Sequence, residues 1–357
     1  MTEAEAMERA LALAWNGWGR VHPNPMVGAV ILKDGEILGE GFHPEFGGPH
    51  AEVVALGAAG AEAHGATMVV SLEPCRHHGK TPPCTAAIRA AGIERVVYAA
   101  GDPNPQAGGG AAELFAAGVA IDRVAMEADV LRQNAAFFHG WRGTGRPFVA
   151  LKLATSIDGR IADYTGRARW LSGEAAREWV QWLRAGFDAI AVGGRTARSD
   201  DPALTVRGPL QPRLAPRRIV FDRNGDITGA HKLIGTARDI PVTVVGEREP
   251  GGHLRDEYEE AGVTVSQATD LREGLEALAA EGVRSILVEG GGRLAARLLA
   301  EELVDRFYWV QCPLFLGDSG VPAFAGLPSE LLEQVFRWTV AERRALGDDT
   351  LLVLDRT

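Results

Sequence analysis

His50 and Glu52 stand two residues apart, and downstream Cys75 and Cys84 each follow a proline. One imidazole and two thiolates are three protein ligands for zinc, and a catalytic zinc site keeps its fourth position for water. A carboxylate that is not itself a ligand completes a hydrolytic set. Zinc lowers the pKa of its water toward neutrality, and Glu52 can shuttle the proton to a leaving nitrogen. Side chains two apart face nearly opposite flanks of a helix, so His50 and Glu52 serve one site only off a helix N-terminus, where Pro49 marks the start. The positive end of a helix favours thiolate over thiol, and Cys84, after Pro82 and Pro83, opens a helix predicted over 85–91. The same ligands admit a bland alternative, a structural zinc closed by His77 or His78, though such a site has no use for the carboxylate. Cys312 lies far off in an apolar run and is expected to be a buried core thiol.

These residues need a rigid frame, and the sequence between them has a βαβ rhythm. Thr2 and Glu5 are spaced as a capping box before a helix over 6–15, and 27–41 reads as a hairpin turning at Lys33-Asp34-Gly35. A strand over 67–72, the helix over 85–91, a strand over 95–100 and a helix over 111–117 follow. Three glycines and a proline within 139–147 suit a connection between compact units, with the boundary near residue 145. The second half repeats the alternation. A strand over 148–154 is followed by a helix to Arg184 with Ser172 as N-cap, strands over 188–192, 218–221 and 242–245, a helix over 271–280 and a strand over 285–289. The last strands, 307–311 and 350–354, have no helix between them and so imply antiparallel pairing.

At 357 residues the chain suits about two domains of roughly 150 residues. Its 46% hydrophobic and 24% charged content excludes disordered, collagen-like and membrane classes. With 37 Lys+Arg against 47 Asp+Glu, the net charge of -10 opposes a nucleic-acid partner while leaving room for a local phosphate pocket. Three cysteines make no disulfide framework, and neither a signal peptide nor an apolar membrane span is evident, so a cytoplasmic setting is expected.

The ligand pattern resembles the zinc deaminases of the cytidine-deaminase superfamily, with one departure: eight residues separate the cysteines where the common motif has two. The whole stretch Glu73-Pro-Cys-Arg-His-His-Gly-Lys-Thr-Pro-Pro-Cys84 is similar to the deaminase half of the bifunctional riboflavin-biosynthesis deaminase/reductases. The resemblance extends through His22-Pro-Asn-Pro-Met-Val-Gly28, Asp102-Pro-Asn-Pro105 and Asn134. It implies zinc ligands at His50, Cys75 and Cys84, the proton shuttle at Glu52 and a pyrimidine contact at Asn24. Further substrate contacts are implied at His43, His77 and Lys80. Taken alone, Asn24 in Pro-Asn-Pro is a turn residue.

The second half resembles the reductase domain of the same family at 148–159, 193–207 and 288–292, so the likeness covers nearly the whole chain. It implies two tandem α/β domains, an N-terminal cytidine-deaminase-like αβα sandwich over 1–145 and a C-terminal dihydrofolate-reductase-like domain over 146–357. It also implies zinc-dependent deamination of a phosphoribosylated diaminopyrimidinone, then NADPH-dependent reduction of its ribose to a ribityl chain. Cofactor contacts are implied at Ala154, Trp170, Thr196, Asp200, Gly291, Gly292, Arg293, Leu294, Ala295, Ala296 and Arg297. Substrate contacts are implied at Arg184, Leu204, Arg207 and Glu289. Arg184 and Arg207 suit a phosphate, since guanidinium forks bind its oxygens bidentately.

Read bottom-up, Gly290-Gly291-Gly292 is as much a tight strand-to-helix turn as a cofactor site, and its spacing is not the dinucleotide fingerprint. Arg195, Arg198 and Ser199 are candidates for the NADPH 2′-phosphate, against the alternative of solvated surface side chains. Either Asp200 or Glu289 fits a proton-handling role. Ala168 replaces a serine that the family often carries two positions before the tryptophan. A small-molecule substrate, a homo-oligomer, and no nucleic-acid or membrane partner are expected. The other readings are a deaminase with a reductase domain of altered substrate, a nucleic-acid-editing deaminase, and a non-catalytic zinc scaffold.

Overall fold

The Thr2 hydroxyl accepts from the Glu5 N–H at 3.3 Å while the Glu5 carboxylate accepts from the Thr2 N–H at 2.7 Å. This is the reciprocal box expected, and it starts α1 (Glu3–Ala14). The computed structural model describes residues 1–168, 171–329, 331, 333 and 335–356. The chain divides into two compact units, Met1–Gly143 and Thr144–Thr357.

In the first unit β1 (Gly28–Lys33) and β2 (Glu36–Phe42) form the expected hairpin, with Asp34 and Gly35 both at positive φ, as a two-residue turn requires. Then come α2 (Ala51–Ala59), β3 (Thr67–Leu72), α3 (Cys84–Ala90), β4 (Arg95–Ala100), α4 (Gly110–Ala116), β5 (Ala120–Arg123), α5 (Glu127–Gln133) and α6 (Ala135–His139). The sheet order is β2-β1-β3-β4-β5, with β3, β4 and β5 parallel.

Alternation along the strands builds a core on each face. Ala29, Ile31, Met68 and Val70 pack with Ala51, Ala55, Ile88 and Leu114, whereas Val30, Leu32, Val69 and Val97 pack with Ala6, Met7 and Ala10. The result is the expected αβα sandwich. Gly39 and Gly41 let α2 lie close on β2, since a Cβ at either position would fall 2.4 Å from a helix carbonyl, that of Ala55 or Ala51.

The second unit runs β6 (Phe148–Ser156), β7 (Arg160–Ala162), α7 (Glu174–Ala185), β8 (Ala189–Gly193), α8 (Gly194–Asp200), β9 (Arg217–Phe221), α9 (Lys232–Gly235) and β10 (Val242–Gly246). It continues through α10 (His253–Ala261), β11 (Thr264–Gln267), α11 (Leu271–Ala280), β12 (Ser285–Glu289), α12 (Gly292–Ala300), β13 (Arg306–Cys312), β14 (Val321–Pro322), β15 (Thr339–Leu346) and β16 (Asp349–Asp355). Nine strands order as β11-β10-β9-β8-β12-β6-β13-β16-β15, parallel through β13. The expected antiparallel pairing at the end is present, β13 with β16 and β16 with β15.

One expected cap is displaced. Gly173, not Ser172, is the N-cap of α7, and the Asp349 carboxylate fixes its backbone by accepting from the Gly173 N–H at 2.7 Å. Patterning missed α8, which is short and polar, and α10, whose only buried residue is Tyr258. Cys312 is fully buried in β13, and burial pushes its thiol up to about 12. Among the described residues no helix is long and apolar enough to cross a membrane.

Candidate functional site

Two helix starts and one strand end meet in the first unit. His50 is the N-cap of α2, Glu52 lies in the first turn of α2, and Cys84 is the first residue of α3. Cys75 lies just beyond β3 and accepts a 3.5 Å hydrogen bond from the Cys84 N–H. His50 Nδ1 stands 3.2 Å from Cys84 Sγ and 3.5 Å from Cys75 Sγ, and the three donor atoms lie within 4.8 Å of one another. Tetrahedral zinc with ordinary bond lengths sets such ligands about 3.5–3.8 Å apart, so the set fits that ion. The cluster stops at these three donors among the described residues, and neither His77 nor His78 joins it. The structural-zinc alternative therefore lacks its fourth ligand.

The electrostatics suit metal binding. The Cys84 thiol and the His50 ring hold Cys75 far below the usual thiol range, and the neighbouring Cys75 sulfur together with burial pushes Cys84 up. Two thiols crowded in one buried pocket cannot both ionise without a cation between them. Metal uptake would therefore release the second proton. Glu52 is 3% exposed, and burial raises its pKa.

A cavity of about 250 Å³ opens onto the cluster, and His50, Glu52 and Cys75 share its wall with Asn24, His43, His77 and Lys80. His77 Nδ1 is buried with no hydrogen-bond partner among the described residues, and Lys80 Nζ sits 4.2 Å above the Phe46 ring. Sequence reasoning gave no role to three further wall residues. Thr81 Oγ1 stands 3.3 Å from His50 Nε2, the partner that holds the ring with Nδ1 toward the sulfurs. Glu73 accepts from the N–H groups of Asp102, Gly109 and Ala111, pinning the loop after β4 beside the site. Asp102 lies in that loop, and burial raises its carboxyl to about 6. Only a hydroxyl and two carboxyls near the motif hinted at these roles, because their partners are distant in sequence.

Two predictions follow from this wall. Thr81→Val removes the outer hydrogen bond of a zinc-ligand histidine and should weaken zinc binding about 10–100-fold, measured by competition with a chromogenic chelator. Unchanged affinity would show that Thr81 does not orient the ring. Asp102 has a folded pKa above its unfolded one, so its favourable contribution is complete below pH 3.8 and is lost as pH rises through about 6. Asp102→Asn should accordingly make the first unit more stable than wild type at pH 8, with the gap closing below pH 6 in thermal melts taken across that range.

In the second unit the implied residues gather at the C-terminal ends of parallel strands, where open α/β sheets bind ligands. Ala154 is on β6, Glu289 ends β12, and Gly291 is the N-cap of α12, which carries Gly292, Arg293, Leu294, Ala295, Ala296 and Arg297. Among the described residues no side chain caps α12, and a helix N-terminus is where a dinucleotide phosphate binds. The glycine run is also a tight turn. Gly291 has φ +84°, and a Cβ there would meet the Thr196 hydroxyl at 2.9 Å. Thr196 and Asp200 are on α8, with Leu204 and Arg207 in the loop beyond it.

The fork of Arg184 is already engaged. Its Nε and one terminal nitrogen donate to the two Glu289 oxygens at 2.5 and 2.7 Å, and the other terminal nitrogen donates to the Thr205 carbonyl at 2.8 Å. Burial opposes ionisation of Glu289, but Arg184 outweighs it and holds the carboxyl below its usual range. Lys152, unremarked in the sequence, is the register partner of Glu289 across β6 and β12.

Of the 2′-phosphate candidates, Arg198 pairs with the buried Asp222 at 3.0 Å and the Ser199 hydroxyl donates to Asp200, while Arg195 is exposed. Trp170 lies outside the described residues. Ala168 is exposed.

Comparison with known proteins matches both halves of the chain. Residues 1–100 match the family described as cytidine and deoxycytidylate deaminase zinc-binding region, and residues 147–352 match the RibD C-terminal domain. Riboflavin biosynthesis protein RibD of Escherichia coli (strain K12) is 39% identical over 382 residues, covering 99% of this chain and 99% of its own. The Aquifex aeolicus (strain VF5) protein of that name is 36% identical, covering 98% and 97%. Among solved structures, Acinetobacter baumannii RibD, form 1, superimposes with a TM-score of 0.86 at 35% identity, covering 99% of each chain. The diaminohydroxyphosphoribosylaminopyrimidine deaminase/5-amino-6-(5-phosphoribosylamino)uracil reductase of Thermotoga maritima gives 0.85 at 34%, again with 99% of each chain covered.

Proposed function

Because the chain belongs to the RibD family of riboflavin-biosynthesis proteins, we propose that its two reactions take place at the His50/Glu52/Cys75/Cys84 cluster and in the crevice around Arg184 and Glu289. The chain is a bifunctional enzyme of riboflavin biosynthesis, a zinc-dependent deaminase and an NADPH-dependent reductase. In this reading residues 1–145 deaminate 2,5-diamino-6-(5-phosphoribosylamino)pyrimidin-4-one, and residues 146–357 reduce the ribosyl arm of the product to a ribityl chain.

His50, Cys75 and Cys84 would hold zinc, which when bound supplies Lewis-acid activation of water. Glu52 takes the proton that water gives up and returns it to the departing amino nitrogen, a role suited to a buried carboxyl of raised pKa. Asn24 contacts the pyrimidine, and Lys80 offers a cation to the phosphate of the arm. His77, on the cavity wall, is a further substrate contact.

NADPH when bound supplies the hydride for the sugar carbon. Ala154, Trp170, Thr196, Asp200 and the start of α12 hold the cofactor, and Arg184, Leu204, Arg207 and Glu289 hold the substrate. Glu289, held ionised with both oxygens on Arg184, serves as an acceptor that orients the substrate rather than as a proton carrier, whereas Asp200 is exposed and takes the Ser199 hydroxyl. We further propose a cytoplasmic homo-oligomer acting on small molecules rather than nucleic acid. The net charge of -10 and three free cysteines support that setting.

The observation that carries the reading is the cluster of three zinc donors, two of which share a cavity wall with a buried carboxyl. Mass spectrometry of purified protein with the diaminopyrimidinone tests it. The substrate should exchange an amino group for oxygen without NADPH and gain two hydrogens only when NADPH is added; no conversion of either kind would sink the site assignments.

A further inference from the structure

Asn24 reaches the cavity through a backbone held from elsewhere in the unit. The buried Asn134 amide accepts from the Met26 N–H at 2.7 Å and donates to the Met26 carbonyl at 3.0 Å, and the Asn24 N–H donates to the Val21 carbonyl at 2.9 Å. The segment is fixed, so what remains free is the rotation of the Asn24 amide. Its two faces offer a ligand opposite things, an oxygen that accepts or a nitrogen that donates.

His43 decides between them. Its Nδ1 stands 2.9 Å from the Pro49 carbonyl and its Nε2 stands 3.1 Å from Asn24 Nδ2. A carbonyl can only accept, so Nδ1 carries the ring proton. In the neutral ring Nε2 is then an acceptor, and it must be met by the amide nitrogen of Asn24. That leaves Asn24 Oδ1 without a hydrogen-bond donor among the described residues, on a side chain that lines the cavity. His43 itself is 3% exposed, which leaves its ring little to offer a ligand directly.

We propose that His43 is a positioning residue that fixes the Asn24 amide with its oxygen toward the cavity, so that the deaminase site selects a pyrimidine edge carrying an N–H donor. This rests on the reading that Asn24 contacts the pyrimidine. The Pro49 carbonyl, adjacent to the ligand His50, is thereby the origin of a relay running Pro49, His43, Asn24, substrate. Zinc ligation and base orientation start from neighbouring residues.

A double-mutant cycle on the zinc-loaded full chain tests this, with kcat and KM for deamination and zinc content measured for Asn24→Ala, His43→Phe and the double variant. Each single change should lower kcat/KM about 10–100-fold, mainly through KM, with zinc content unchanged. The double variant should be no worse than Asn24→Ala by more than about twofold, because His43 acts only through Asn24. Effects that multiply would overturn the proposal while leaving Asn24 as a substrate contact. An unchanged Asn24→Ala enzyme would instead remove the reading beneath it.

Should His43→Phe lose zinc, the decision passes to two conservative variants. His43→Gln brings an amide carbonyl to the place of Nε2 and should retain KM within a few-fold. His43→Asn reaches only the Pro49 side and should not. The reverse order would overturn the proposal.

Discussion

Glu52→Gln should lower kcat for deamination by about 10²- to 10⁴-fold, the range a positioned acid–base group contributes, while the protein keeps its zinc. The isosteric amide fills the same buried place in the first turn of α2, so packing changes little. Glutamine can hydrogen-bond but cannot accept and return a proton, which isolates the proton transfer from binding. The three ligand atoms are untouched, since Glu52 is not among them. NADPH-dependent reduction of separately supplied deaminated product should proceed at the wild-type rate, because the residues proposed for it belong to the other unit. Metal analysis with the two half-reactions checks all three points, and deamination surviving at more than a tenth of wild type would remove Glu52 from the mechanism.

The second large effect is expected at Arg184. Its side chain and that of Glu289 are only 11% and 13% exposed, and they share two hydrogen bonds. Removing one partner of a buried pair leaves an uncompensated charge, which costs about 3–5 kcal/mol. Arg184→Met should thus destabilise the second unit by that amount, seen as a drop of several degrees or more in its melting transition, and should abolish reduction. The loss of function has two sources. Glu289 would lose the guanidinium that keeps it ionised, and the Thr205 carbonyl would lose its donor beside Leu204 and Arg207.

Replacing both partners, Arg184→Met with Glu289→Leu, separates stability from activity. An apolar pair of similar volume should recover most of the melting temperature but none of the reduction. If the double variant also regained reduction, the pair would be structural and the proposed substrate site would be wrong.

Legibility from sequence followed the range of the interactions. The βαβ alternation, the hairpin at Asp34-Gly35 and the capping box at Thr2 were readable because each rests on contacts between residues close in the chain. The zinc set was readable for a chemical reason: few purposes bring His, Glu and two prolyl-preceded cysteines together. Helix starts at Ala51 and Cys84, expected from Pro49 and Pro82-Pro83, followed from the same local logic. The cap at Gly173 was misread because its hydrogen bond comes from Asp349, far away in the chain.

By itself, then, the sequence determined the two α/β units and the residue types of the His/Cys cluster, since these are written in short-range pattern and in side-chain chemistry. Only the tertiary structure decided how those groups are tuned. It put Thr81 behind His50, Glu73 under the loop of Asp102, and His43 between Pro49 and Asn24, and it closed Arg184 on Glu289. The physical reason is that hydrogen-bond partners, tautomers and buried ion pairs depend on distances between residues remote in sequence, which the packing of sheets and helices sets and no local pattern encodes.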